Sequence, residues 1–233
     1  MRLDKFLSNS GKGSRKEIKI LLKEGTVTVN GTVVKDASFQ IDENADRIFV
    51  GNLPIIYKPF LYLMLNKPQG YVSAVFDKRL PVVTEFVPED MRHYDVFPVG
   101  RLDIDTEGLL ILTNDGALTH RVLSPKSHVD KTYFVRCDLP LKGEDVISFQ
   151  DGVVLDDGYR TMGATLNIQE NPNEAYLTIK EGKFHQVKRM MEAIGNKVVY
   201  LKRVKMGSLC LDESLKTGQI RELTAEEVAL LET

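Results

Sequence analysis

The sequence predicts an α+β protein in which a small helix-helix-hairpin unit precedes a larger domain on a mainly antiparallel mixed sheet. Two observations carry that prediction. Near the start, the capping-box pattern Ser14-Arg15-Lys16-Glu17 is followed by alternating residues around Asn30-Gly31, a helix start and a hairpin turn in close succession. After Leu61 the chain runs through strand-like segments, LYLMLN, GLLILT, KTYFVRC, AYLTIKEG and NKVVYLKRVKMG, with few helical patterns between them. The 233 residues have room for one large domain and a small appendage, and 42% hydrophobic content is ordinary for a globular chain.

Taken in order, Leu3, Phe6 and Leu7 stand at helical spacing, and Gly11 and Gly13 end that short helix. Ser14 opens a second helix, with Ile18, Leu21 and Leu22 as its buried stripe and Gly25 fitting its C-terminal cap. Arg15, Lys19 and Lys23 fall four apart on a different face, joined by Lys16, and make a basic outward surface. Residues 26–34 alternate around Asn30-Gly31 as a hairpin. These elements define a first unit over 1–50. The stretch VGNLPIIYKPF, with two prolines and a glycine, reads as a linker over 51–60, and 61–233 forms the second domain, with helices chiefly near 117–123 and at 186–194.

PVGRLDIDTEGLLILTNDG is the most informative stretch. Gly108 opens Leu109-Leu110-Ile111-Leu112, which reads as a strand buried on both faces, and Asn114-Asp115-Gly116 reads as a hairpin turn. Asp103 and Asp105 stand beside Arg101 just ahead of that strand. A strand end carrying acids suits acid/base or nucleophilic chemistry, and carboxylates that merely satisfy backbone donors in a turn give the same pattern. Three further stretches, LNKPQGY, DKTY and EGKFHQVKRM, each have an ordinary structural explanation when taken singly. Asn66-Lys67-Pro68 fits a loop, Tyr133 a half-buried strand aromatic, and Lys188-Arg189 the wet face of a helix whose dry face is Val187, Met190, Met191 and Ile194.

The formal net charge of −2 hides an uneven distribution. Residues 1–25 hold seven Lys/Arg against three Asp/Glu, and residues 181–205 hold seven against two, whereas 206–233 hold two against six. Two basic segments on an otherwise acidic chain point to localised phosphate contact. Cys137 and Cys210 are far apart, and His93, His120, His128 and His185 lack metal-ligand spacing, so no disulfide and no metal are expected. The first residues lack a continuous apolar stretch and nowhere do about 18 apolar residues run together, so neither a signal peptide nor a membrane span is expected, and a cytoplasmic location is.

The first unit, RLDKFL…SRKEIKILLKEGTVTVNGTVV, resembles the S4 RNA-binding domain over nearly its whole length. That resemblance implies helices presenting basic residues, here Arg15, Lys16, Lys19 and Lys23, to a folded RNA. The later stretches, with GRLDIDTEGLLILTNDG at their centre and in this order and separation, resemble the pseudouridine synthases, specifically the bacterial small-subunit (16S) rRNA branch. The wording SPKSHVDKTY and EGKFHQVKRM favours that branch over the large-subunit one.

The resemblance implies an rRNA uridine isomerase that breaks the N1–C1′ bond and rejoins the ring through C5, with no cofactor. It implies that Asp103 is the reacting carboxylate, Lys188 its positive partner where related branches often carry arginine, and Tyr133 the ring that stacks on the target uracil. Arg101 is implied to hold the flipped nucleotide, Ile179 to wall the pocket and Arg189 to bind backbone phosphate or to substitute for Lys188 as the partner of Asp103. Asn66 and Lys67 are implied to support the loop carrying Asp103, and Asp105 is read as a turn residue. The expected partner is rRNA, naked or within a partly assembled small subunit, and a monomer is the default. Three other readings stand beside this one: a 23S rRNA enzyme of the same superfamily, a catalytically inactive rRNA-binding or assembly protein, and a glycoside hydrolase using Asp103 and Asp105 as its acid pair.

Overall fold

The computed structural model describes residues 1–124 and 126–232; Pro125 of the SPKSHVDKTY stretch and Thr233 at the end of the predicted second domain lie outside the described residues. The fold divides into two compact units, Met1–Leu61 with Pro88–Asp95, and Tyr62–Val87 with the chain from Val96 onward.

In the first unit, helix α1 (Leu3–Asn9) buries Leu3, Phe6 and Leu7, and helix α2 (Arg15–Glu24) buries Ile18 and Leu22 against them. Ser14 caps α2: the Glu17 amide donates to its hydroxyl, and the Ser14 amide donates to the Glu17 carboxylate at 2.7 Å. Gly25 closes α2 in the left-handed region. Strands β1 (Val27–Val29) and β2 (Thr32–Val33) pair through Asn30-Gly31, whose φ angles of 52° and 80° are those a type I′ turn demands. Of the stretch read as a linker, part folds back on this unit. Strand β3 (Ile48–Val50) pairs with β4 (Leu53–Pro54), Ile55 enters the core, and the Tyr57 ring lies 5.3 Å from that of Phe6. Prolines do not prevent this, because an edge strand has no use for the missing donor. Arg15, Lys16, Lys19 and Lys23 are all exposed.

The second unit is built on β5 (Tyr62–Lys67), β6 (Phe97–Pro98), β7 (Glu107–Thr113), β8 (Lys131–Cys137), β9 (Thr165–Ile168), β10 (Glu174–Ile179), β11 (Val198–Met206), β12 (Leu209–Cys210) and β13 (Ile220–Glu222). The main order is β13-β5-β7-β11-β8-β10-β9, antiparallel throughout except where β7 meets β11. That parallel pairing is short, Lys202 opposite Glu107 and Arg203 opposite Gly108. A β-carbon at residue 108 would lie 2.2 Å from the Arg203 carbonyl oxygen, so glycine, here at φ +100°, is what lets the two strands meet. As the apolar run predicts, Leu109 to Leu112 are all fully buried; helix α3 (Gly116–Leu123) covers one face, packing Leu118 and Val122 on Leu109 and Ile111.

Two expectations need correction. Asn114-Asp115-Gly116 makes no hairpin: Asp115 accepts from the Leu118 amide at 2.9 Å and caps α3, a use of Asp that competes with the turn reading. Helix α4 (Gly143–Asp151) was not expected, because Phe149 is its sole buried side chain and leaves no apolar stripe to read. The helix predicted at 186–194 is α5 (Gln186–Ala193), and a short α6 (Ala225–Ala229) lies near the end.

Candidate active site

Asp103 sits on the loop between β6 and β7, and that loop is fastened by its backbone. The fully buried Lys67, last residue of β5, donates from Nζ to the carbonyls of Pro68 at 3.0 Å, Asp103 at 3.1 Å and Thr106 at 3.0 Å. Ser73 Oγ donates to the Leu102 carbonyl at 2.9 Å and accepts from the Leu102 amide at 3.0 Å. The Gly70 amide donates to the Ile104 carbonyl at 2.7 Å. Desolvation pushes the Lys67 ammonium down to about 8, against the opposing pull of Asp105, Asp103 and Glu107, so it still carries its proton at neutral pH. Asn66 faces elsewhere, as strand alternation requires: its Nδ2 donates to the Leu215 carbonyl at 2.7 Å and anchors the stretch before β13.

The side chain of Asp103 meets Lys188, in the first turn of α5, with Nζ 3.1 Å from Oδ2. The same ammonium donates to Asp105 Oδ1 at 2.6 Å, so one lysine bridges both carboxylates. Burial pulls the Lys188 ammonium down, but its hydrogen bonds to Asp105 and Asp103 outweigh this and raise it. For Asp105 burial acts upward and the hydrogen bond and charge of Lys188 prevail, leaving it below the usual carboxylate range. Asp105 is thus an ion-pair partner as well as a turn residue.

The pocket around Asp103 is lined by Arg101, Tyr133, Ile179 and Lys188, and also by Thr106, His185 and Leu201. Five of the six residues expected at the catalytic and substrate sites therefore converge. Tyr133 comes from β8 and Ile179 from the end of β10, both largely buried, whereas Arg101 is exposed. Arg189 does not line the pocket. One residue on from Lys188 it turns about 100° around the helix, and its guanidinium donates to Asp156 at 2.7 Å and pairs with Asp157 at 2.6 Å.

Reading the sequence missed Ser73 and His185. Ser73 acts on a residue 29 positions away and leaves no local signal. His185 stands directly before α5 with φ +49°, in the left-handed region that few non-glycine residues occupy, and its Nε2 is 3.7 Å from Asp103 Oδ1. Its position at a helix start, inside a stretch already singled out, was the available clue.

Asp103, its lysine counter-charge and Tyr133 thus share one pocket ahead of a buried strand. Comparison decides the family: residues 61–193, more than half the chain, match the RNA pseudouridylate synthase family, and residues 1–46 match the S4 domain. The chain belongs to the RNA pseudouridylate synthases. This synthase is 50% identical, over 99% of its length and 98% of the relative's, to a Bacillus subtilis protein named uncharacterized RNA pseudouridine synthase YtzG. It is 44% identical to a Yersinia pestis protein named ribosomal small subunit pseudouridine synthase A, over 98% of this chain and 97% of that one. A solved structure described as a crystal structure of pseudouridylate synthase matches it with a TM-score of 0.70 and 38% identity, covering 99% of each chain. Among the described residues no helix of the synthase is long and apolar enough to cross a membrane.

Proposed function

We propose that this synthase isomerises one uridine of 16S rRNA to pseudouridine, with Asp103 as the reacting carboxylate. The observation that carries the assignment of the residue is the Asp103–Lys188 pair inside a pocket that Tyr133 and Ile179 also line. Lys188 places its ammonium 3.1 Å from the Asp103 carboxylate, a counter-charge beside the reacting group. An ionised Asp103 takes the C2′ proton of the target nucleotide, giving a glycal-like intermediate; attack on the sugar or base would use the same ionised group. The uracil leaves C1′ as its N1 anion and the ring rotates; C5 bonds to C1′ as the proton returns to C2′, and the C5 hydrogen is then lost while N1 gains one, an isomerisation with no net gain or loss of atoms.

Tyr133 stacks on the uracil, and Ile179 closes the apolar wall. Arg101, exposed beside Asp103, holds the extruded nucleotide, since a base within a stack cannot reach an aspartate and extrusion costs on the order of a few kcal/mol. The exposed cations Arg15, Lys16, Lys19 and Lys23 of the S4 unit bind the phosphate backbone. Arg189 reaches RNA only by exchanging Asp156 and Asp157 for phosphate. The small-subunit target follows from the name carried by relatives such as the Yersinia pestis protein. We place the reaction in the cytoplasm, on naked or partly assembled 16S rRNA, with the synthase as a monomer and no metal or cofactor.

The test is pseudouridine mapping by carbodiimide labelling and primer extension of 16S and 23S rRNA, from cells lacking the gene and supplied with wild type or Asp103→Asn. One 16S uridine should regain its modification with wild type only. In vitro, Asp103→Asn should abolish isomerisation and leave RNA affinity within a few-fold, because it removes a reacting group and leaves every phosphate-binding cation in place. A site in 23S rRNA would redirect the target, and activity surviving in Asp103→Asn would remove Asp103 from its role.

A further inference from the structure

The turn between β10 and α5 holds an aromatic group that the reaction described above leaves unused. Phe184 is 75% exposed, among the most exposed large apolar side chains of the protein. It is not loosely held. Gln186, itself buried, accepts from the Lys183 amide at 2.7 Å and donates to Glu181 at 2.8 Å. Glu181 in turn accepts from Tyr159 Oη at 2.7 Å and the Met162 amide at 2.9 Å. The turn is therefore fastened on both sides of Phe184, and the left-handed backbone of His185 sets the direction in which the chain leaves it.

The Phe184 and His185 rings are stacked, with centroids 3.7 Å apart and planes inclined by 19°. One face of Phe184 is thus covered by His185, and its exposure belongs to the other face and the rim. His185 lines the Asp103 pocket, so the stacked pair leads from the pocket lip outward to solvent. Exposed lysines, Lys180 and Lys183, flank it, and the segment from 181 to 205 carries seven basic residues against two acidic ones.

We propose that the open face of Phe184, backed by His185, is a stacking platform for the nucleobase next to the target uridine. The proposal rests on the synthase reading above and extends it to a second nucleotide. Extruding a base into the pocket strips its neighbour of a stacking partner. A flat ring at the pocket lip replaces that partner, and base–aromatic stacking contributes about 1–3 kcal/mol by alanine substitution, whatever the base. The flanking lysines suit the phosphates on either side and give an apolar protein or lipid partner no comparable reason to settle there.

The experiment uses the full-length protein and ligated RNA spanning the uridine mapped for wild type, either intact or with an abasic residue on its 5′ or 3′ side. Phe184→Ala should raise the KM for intact RNA by about 5- to 160-fold, the range that such stacking implies, while kcat at saturating RNA stays within twofold. Phe184→Trp should restore the KM and Phe184→Leu, which keeps bulk without a π face, should not. One of the two abasic RNAs should cost wild type the same factor and make Phe184→Ala indistinguishable from it. An unchanged KM in Phe184→Ala, or a loss that multiplies fully with both abasic substitutions, overturns the platform. Wild type that modifies no uridine would instead overturn the synthase reading, so the two failures are told apart by the wild-type lane.

Discussion

Lys67→Met tests whether the backbone of the Asp103 loop is held from below. Methionine keeps the apolar stem and deletes the ammonium, which now serves three carbonyls at 3.0 to 3.1 Å. The Thr106 carbonyl is buried, so leaving it unpaired costs about 1–3 kcal/mol. The Pro68 and Asp103 carbonyls are partly exposed and regain water, each losing about 1 kcal/mol or less. Relief of the ammonium's own desolvation offsets part of this, so the expected net loss is about 2–3 kcal/mol, which a domain of ordinary stability survives. Activity should fall much further, because one of the three carbonyls belongs to Asp103 itself and a displacement of roughly 1 Å costs on the order of 10²-fold. Urea unfolding reads the first quantity, and single-turnover isomerisation at saturating RNA reads the second. Loss of stability with an unchanged single-turnover rate would refute the reasoning and leave Gly70 and Ser73 as sufficient anchors.

The same lysine gives a pH prediction. Its folded-state value of about 8 lies below the ordinary 10.5, so between these limits the unfolded chain binds more protons and the lysine's contribution to stability rises with pH, by at most about 1.4 kcal/mol per unit. Urea unfolding from pH 7 to pH 10 should therefore show the wild-type minus Lys67→Met difference flat below about 8 and growing above it. Lys188→Met should lower the single-turnover rate by at least tenfold by leaving Asp103 without its nearby ammonium, and Lys188→Arg should recover most of it; equal loss in both would assign the role to lysine's shape and not its charge. Replacing Arg15, Lys19 and Lys23 together with Ala should weaken RNA binding and flatten its log–log salt dependence by roughly 0.7–0.9 for each phosphate no longer neutralised, measured by filter binding across a salt series.

Local chemistry was legible in the sequence and long-range chemistry was not. The Ser14–Glu17 cap, the Asn30-Gly31 turn and the buried run of β7 each depend on residues within a few positions, and each is found where the pattern put it. Asp115 shows the limit of such patterns, since the same short acidic residue serves a hairpin turn or a helix cap, and only the capped Leu118 amide distinguishes them. The convergence of Asp103, Tyr133, Ile179 and Lys188 came from a family resemblance, because no periodicity relates a loop, two strands and a helix start. The clamp by Ser73 and the platform-like turn around Gln186 are invisible even to that resemblance, for they concern groups that do no chemistry.

The site's charge balance explains why its supports are built into the backbone. Asp103, Asp105 and Glu107 lie along one short stretch; the Lys67 ammonium acts on all three and that of Lys188 on Asp103 and Asp105. Glu107 is occupied at the start of β7, where it accepts from Tyr200 Oη at 2.7 Å. Lys188 is divided between two acids and is closer to Asp105, at 2.6 Å, than to Asp103, at 3.1 Å. A side-chain ion pair shared in this way does not by itself fix one carboxylate, because the ammonium is free to favour the other. Fixation has to come from the chain, and Lys67, Gly70 and Ser73 supply it through carbonyls and amides whose positions do not depend on which acid Lys188 prefers. Asp103 thereby keeps its place whether Lys188 is shared or wholly its own, which is the condition that the role proposed for it as the reacting carboxylate sets.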